Sequence, residues 1–554
     1  MAPQIVVYTA RSVITMDPGR PRADAVAVMD GRVLSTGTVE SMGPWLERYD
    51  HRIDDRFKDA VITPGFIDPH THFEMSSGYL GVPYVGPIES PGPCGTNPAH
   101  PTRESVLEEL ASLNTSTPEG ETIVAWGLDP AIQGGHLHRD ELDAVVPDHP
   151  LFVISYAPHF LYANSRALAL TPLTDDSTSE GVGKYDDGRL NGQFIEMAAH
   201  KAAVGKSAAD LVDDAGEAGL RRMADVGVAG GVTTTAEMLF GLTDPDREWR
   251  IHDAVFNAPN PAMRMALVYS SMTLHDDHGA DAAAHLAEQY ARNSDSLFFA
   301  GVKFLADGSF PAMSSRTRWP GYLDLTNGVE NDVPWTELAE RMRPYWEAGI
   351  PIHCHANGDE TIDATLDALA QLQAWRPRFD HRFTFEHYCL STPDQARRLA
   401  VLGALASVNI YYVHYRSHIH REQAYGPDRA EALGRVGSLA RERVPFALHS
   451  DFSLVGVPMK PLTAAWIAVN RIAQDGSTVF APGERISVDA ALHAITTDAA
   501  YVLGQERVLG SLEPGKFADF AILDKDPYEV APEELRDIEV LGTVVGGVVH
   551  GALA

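Results

Sequence analysis

From residue 66 to residue 448 the chain alternates short apolar runs with amphipathic helical stretches, eight times over. The strand cores read as Phe66-Ile67-Asp68, Val232-Thr233-Thr234-Thr235, Met265-Ala266-Leu267-Val268 and Val302-Lys303-Phe304. Four more are Pro351-Ile352-His353-Cys354-His355, Phe383-Thr384-Phe385-Glu386-His387, Leu405-Ala406-Ser407-Val408-Asn409 and Pro445-Phe446-Ala447-Leu448. Stretches with 3.6-residue periodicity separate them, such as 361–375 and 393–402. Eight successive strand–helix units predict an α/β fold, a (β/α)8 TIM barrel. The gap from Phe66 to Val232 is too long for one barrel unit. Residues 76–205 are therefore expected to be an insertion after strand one, with a Pro- and Gly-rich opening at 81–101.

Both ends of the chain carry a different pattern. Ile5-Val6-Val7-Tyr8, Ser12-Val13-Ile14-Thr15 and Ala25-Val26-Ala27-Val28 alternate like half-buried strands, with turns at Asp17-Pro18-Gly19 and Asp30-Gly31. The tail repeats this in Phe520-Ala521-Ile522-Leu523 and in Val540-Leu541-Gly542-Thr543-Val544-Val545, followed by Val548-Val549-His550. Neither end can bury an apolar face alone, so the two are expected to share one small β-sandwich. The expected division is 1–62 with 508–554 for the sandwich, 63–75 with 206–507 for the barrel, and 76–205 for a lid.

Composition excludes several classes of function. Forty-four Lys and Arg against 76 Asp and Glu leave a formal charge of −32, which repels a phosphate backbone and disfavours anionic membranes. Only Cys94, Cys354 and Cys389 are present, too few for a disulfide framework, so a reducing cytoplasm is the expected setting. The opening MAPQIVVYTARSV lacks the basic stretch and long apolar run of a signal peptide and no run of about 18 apolar residues occurs, so neither a signal peptide nor a transmembrane helix is expected. No nucleic acid or membrane is expected as a partner.

The 23 histidines direct attention to metal sites. Strand one ends in His70-Thr71-His72, and alternation along a strand puts both imidazoles on one face, where they can share a metal ion. The same spacing in His136-Leu137-His138 and His418-Ile419-His420 reads better as solvated loop. Other strand ends add His355, His387 and Asp451, and the apolar fourth strand carries Lys303, a costly place for an ordinary ammonium. All six fall at the C-terminal mouth, where barrel chemistry sits. Glu237 is an alternative ligand or a salt-bridged carboxylate. His353 reads as an orienting or packing histidine and Cys389 as a packed thiol.

These residues lie in segments that resemble the amidohydrolase superfamily, in particular its YtcJ-like branch (amidohydrolase family 3), with its N-substituted formamide deformylases. The matching segments are PGFIDPHTH (64–72), VKFLADGS (302–309), HANGD (355–359), FEH (385–387), HSDF (449–452) and GSLEPGKFADFAILDKDP (510–527), with LDAVVPDHP (142–150) and HFLYANSRAL (159–168) in the insertion. The resemblance implies that His70, His72, His355, His387 and Asp451 bind one or two divalent ions. It also implies that Lys303 is carboxylated, giving a carbamate that bridges two ions. The alternative for Lys303 is a lysine paired with Asp307 or Asp451.

Zinc is the expected ion, with iron, manganese and cobalt as alternatives. The expected reaction is hydrolysis of a non-peptide C–N bond (amide, N-formyl or carbamate) in a small organic substrate. A metal-activated water attacks, Lys303 and His387 serve the site, and Asp451 acts as general base and then acid. His159, Tyr84, Trp319, Tyr322 and Tyr412 are the expected substrate contacts, with core or lid packing as the alternative for each aromatic. The competing readings are a lyase, decarboxylase or isomerase on the same metal site, or a binding protein without catalysis. By resemblance the chain forms a homodimer.

Overall fold

The computed structural model describes residues 4–552, apart from 93–94, 157–158, 206–210, 213–215, 332, 454–456 and 458. The chain divides into two compact units. The first comprises Met1–Thr71, Ala224–Ser450 and Met459–Ala554, and the second His72–Met223 with Asp451–Pro458.

The first unit holds a (β/α)8 barrel. Its parallel strands are β1 (Phe66–Thr71), β2 (Val232–Phe240), β3 (Arg264–Ser270), β4 (Leu297–Leu305), β5 (Ile352–Ala356), β6 (Thr384–His387), β7 (Leu405–Val408) and β8 (Phe446–Leu448). Each pairs with the next in chain order, from β1 through to β8. Between β8 and β1, the Ser450 N–H donates to the Asp68 carboxylate at 3.1 Å. All eight strands fall where the apolar runs predict them.

The helices follow from their sequences in the same way. Asp359–Trp375 opens on two acidic residues, which suit the positive end of a helix. It buries Ile362, Leu366, Leu369 and Leu372, spaced three or four apart on one face. Pro393–Leu402 starts on a Thr392–Gln395 capping box with proline in its first turn. It stops at Gly403, whose φ of 72° only glycine adopts without strain.

The two termini build a single eight-stranded sheet in the same unit. Val61–Pro64 lies between Ile5–Ile14, to which it is parallel, and Phe520–Leu523, to which it is antiparallel. Only Gly65 separates this strand from β1, and a Cβ there would meet the Thr233 side chain at 2.0 Å. The PGF turn therefore requires glycine for close packing of backbone on β2. The tail is tied to the barrel by Asp519, which accepts two hydrogen bonds from Arg264 of β3, at 2.6 and 3.0 Å. The Arg264 guanidinium also lies 3.7 Å from the Phe517 ring centre.

The second unit has its own five-stranded sheet, ordered Val182–Lys184, Leu190–Ile195, Phe160–Ala163, Leu151–Ser155 and Ile123–Leu128. The helices Arg103–Ser116 and Arg139–Val145 bury Val106, Leu110 and Leu142 in one cluster with Ile123, Leu151 and Val153. No helix among the described residues is long and apolar enough to cross a membrane.

Candidate metal centre

Strand ends of the first unit bring four histidines together. The His70 ring lies 4.7 Å from that of His387, and His387 lies 4.5 Å from His355, centre to centre. His449, just past the end of β8, stacks on His70 at 4.4 Å and 14°. One ring nitrogen from each of His70, His387 and His449 falls within 4.8 Å of the others. Lys303 is 2% exposed, and its Nζ lies 3.4 Å from His70 Nε2. Four of the six expected ligands, His70, Lys303, His355 and His387, thus share one cluster. The other two, His72 and Asp451, belong to the second unit, where His72 Nε2 lies 3.3 Å from Asp451 Oδ1.

Glu386 organises this cluster and was not singled out from the sequence. His70 Nδ1 donates to its Oε2 at 2.6 Å and His353 Nδ1 to its Oε1 at 2.7 Å, all three side chains being fully buried. Burial alone would raise the Glu386 pKa. The His353 hydrogen bond and the charges of Lys303, His353 and His449 outweigh it and hold the group down to about 2. An ionised Glu386 fixes the proton of His70 on Nδ1 and leaves the Nε2 lone pair for a metal, as ligating histidines require. The His387 pKa is driven well below its usual value, first by burial and then by the charges of His355, His70, Lys303 and His449. A neutral His387 keeps a lone pair for coordination.

His355 is held by the loop after β4. Its Nε2 lies 3.1 Å from the Gly308 carbonyl, 3.4 Å from Asp307 Oδ1 and 2.8 Å from the Asn357 amide nitrogen. That loop is itself pinned, because Asp307 accepts from the N–H groups of Asn357, Gly358 and Arg316 and from the Thr361 hydroxyl. Burial pushes Asp307 up to about 7 despite these four bonds. A Cβ on Gly358 would meet the Arg316 carbonyl at 1.8 Å, which explains the glycine in HANGD. Cys389 donates to Asn357 Oδ1 at 2.9 Å and is buried. Glu237 is buried, with Oε1 accepting from the Leu239 N–H.

Of the twelve described non-glycine residues with positive φ, His387 and its neighbour Tyr388 lie at this cluster and Asp451 lies beside His72. His387 and Asp451 have φ of 70° and 56°, in the left-handed region that non-glycine residues avoid. Strain of this kind gathers at functional sites.

The expected substrate contacts are dispersed. Tyr322 is buried, donates to the Ser315 carbonyl at 2.7 Å and stacks on Tyr425. Tyr412 packs on Phe310 at 4.6 Å, and His420 on the same ring at 4.0 Å. Trp319 is 93% exposed. In the second unit, Tyr84 donates to the Ile88 carbonyl at 2.6 Å with its ring edge against Trp126, and His159 is half-buried beside strand Phe160–Ala163. The solvated-loop reading of the two other HxH pairs fits His136 and His138, whereas His418 lies in the short helix Ser417–Ile419. His136, His138 and His418 are exposed or half-exposed, whereas His420 is fully buried. Cys94 lies outside the described residues.

The donor chemistry suits a divalent ion: imidazoles with orienting carboxylates behind them. A sequence profile described as "Amidohydrolase family" matches residues 58–550, and the chain belongs to that family. It is 26% identical to an N-substituted formamide deformylase of Arthrobacter pascens, over 97% of each chain. It is 23% identical to the putative amidohydrolase YtcJ of Bacillus subtilis, again over 97% of each. A solved structure, an uncharacterized metal-dependent hydrolase from Pyrococcus horikoshii, superposes with a TM-score of 0.72 at 20% identity, covering 95% of this chain and 99% of that one. Fold, site and family together define a hydrolase of the amidohydrolase family.

Proposed function

We propose that the protein hydrolyses a non-peptide C–N bond of a small amide, N-formyl compound or carbamate, using one or two divalent ions at the barrel mouth. The observation that carries this reading is Lys303, buried with its Nζ 3.4 Å from His70 Nε2, inside a cluster of imidazoles. A bare ammonium there would repel any bound cation. Carboxylation by carbon dioxide would replace that positive charge with an anionic carbamate and give Lys303 oxygen atoms that could hold a divalent ion. His70, His72, His355, His387 and Asp451 are the other residues that would hold the ions, with zinc favoured by the imidazole-rich set.

A bound divalent ion supplies an activated water and a polarised carbonyl. The chain's own residues do the rest. Glu386 keeps the His70 lone pair directed outward from its own carboxylate. Asp451 accepts the proton of the attacking water at a carboxylate oxygen and delivers it to the departing nitrogen. Tyr322 and Tyr412 of the first unit are the aromatic side chains proposed to meet a moderately apolar substrate. The formamide deformylase among the relatives makes N-substituted formamides the first compounds to try.

A panel of N-formyl, N-acyl and carbamate substrates in water enriched in oxygen-18 tests the reading. The expected result is one label in the acid product and a rate lowered more than about 100-fold by Asp451→Asn, the usual scale for general acid–base catalysis. Turnover without incorporation of label would instead make the protein a lyase, decarboxylase or isomerase.

A further inference from the structure

His449 is not among the ligands expected from the sequence, yet the fold aims it at the same point. It follows β8 directly, and its N–H donates to the Val408 carbonyl of β7 at 3.1 Å. The next residue, Ser450, is fixed to Asp68 of β1 at 3.1 Å. Backbone bonds to the strands on either side therefore fix the main chain at His449, and the His70 and His387 rings pack against its imidazole. The side chain is buried, stacks on His70 and meets the His387 ring edge-on at 5.2 Å. Its ligand nitrogen falls within 4.8 Å of those of His70 and His387. Glu386 occupies His70 Nδ1, so the atom His70 offers is Nε2.

We propose that His449 is a further metal ligand, completing with His70 and His387 a three-imidazole site. Three neutral nitrogen donors favour zinc or cobalt over magnesium or calcium, which prefer oxygen. This inference rests on the reading that the barrel mouth binds a divalent ion. It adds a residue to that site and a preference among metals. The competing role for His449 is packing alone, as a flat ring against His70.

His449→Phe separates the two roles, because it keeps a flat ring and removes both nitrogens. Chelator-stripped wild type and variant are titrated with Co2+, reading bound ions by elemental analysis and the ligand field by visible absorption. The expected result is cobalt affinity lowered more than about tenfold in the variant, with its visible bands moved. Unchanged affinity and bands would overturn the proposal and leave His449 a packing residue. If wild type itself bound no cobalt, the metal reading above would fall, and this inference with it.

A second measurement needs no variant, so it stands even if His449→Phe does not fold. In cobalt-loaded wild-type crystals, diffraction at the cobalt edge is expected to place an ion about 2.1 Å from a His449 nitrogen. An ion bound by His70 and His387 but beyond about 3 Å of His449 would overturn the proposal.

Discussion

Glu386 shows what one carboxylate can do when both its oxygens are spoken for. It takes a proton-bearing nitrogen from His70 on one side and from His353 on the other. Glu386→Gln keeps the shape but offers one acceptor and one N–H₂, which cannot receive both donors. It is expected to weaken metal binding about 10- to 100-fold, measured by competition with a chelating dye. Wild-type affinity in this variant would show that His70 is oriented by other means. The sequence hid this residue for a physical reason. On a regular strand Glu386 and His387 face opposite ways, and only His387 was expected at the site. The left-handed φ at His387 and Tyr388 turns the chain at the end of β6, so both neighbours reach the cluster. His449 left a clearer signal. It has the same parity as Asp451 in HSD and ends an apolar run, just as His387 does.

At the scale of elements, the eight barrel strands were legible because apolar runs and amphipathic helices alternate with different periods. The facing of individual side chains was less so. Register shifts interrupt the pairing of β2 with both neighbours and of β3 with β4. Each resets the two-residue alternation on which a sequence reading relies. Connections between elements carry their own chemistry. Glu484, in the turn Pro482–Glu484, accepts from the Ser438 N–H and hydroxyl of helix Val436–Arg441, and pairs with Arg435 and Arg441. Burial would raise its pKa, but these partners hold it below the usual range. Because the folded value is the lower one, its contribution to stability is complete above an unfolded pKa of about 4.3 and is lost as pH falls through the folded value. Glu484→Gln should therefore melt below wild type at pH 7, with the gap closing on acidification. A gap independent of pH would contradict this origin.

At the scale of the whole molecule, the barrel depends on the tail of the chain. Arg264 and Asp519 are each about 4% exposed and bonded through two hydrogen bonds, so removing one strands a buried charge. Asp519→Ala is expected to cost about 3–5 kcal/mol in denaturant unfolding, and a loss under about 1 kcal/mol would show that the tail is held by apolar packing alone. The sequence reading expected both ends to share one small β-sandwich, because neither could bury its apolar face unaided, and strands of both ends join in one eight-stranded sheet. Its division of the chain placed the insertion at 76–205, whereas contacts place the second unit at 72–223 with 451–458. That second segment lies hundreds of residues downstream, where composition and periodicity carry no mark of it. The overall charge of −32 likewise says nothing of the substrate, since the groups that matter are a few side chains at strand ends.

In the function proposed above, catalysis belongs to a divalent ion held at those strand ends. Its most direct test is to strip the protein exhaustively with a chelator and restore Zn2+ in measured steps. Bound metal and turnover of an N-formyl substrate are followed together. The expected result is no turnover in the stripped protein and a rate that rises in proportion to bound ion until the site is full. Full turnover by protein shown to be free of metal would contradict it.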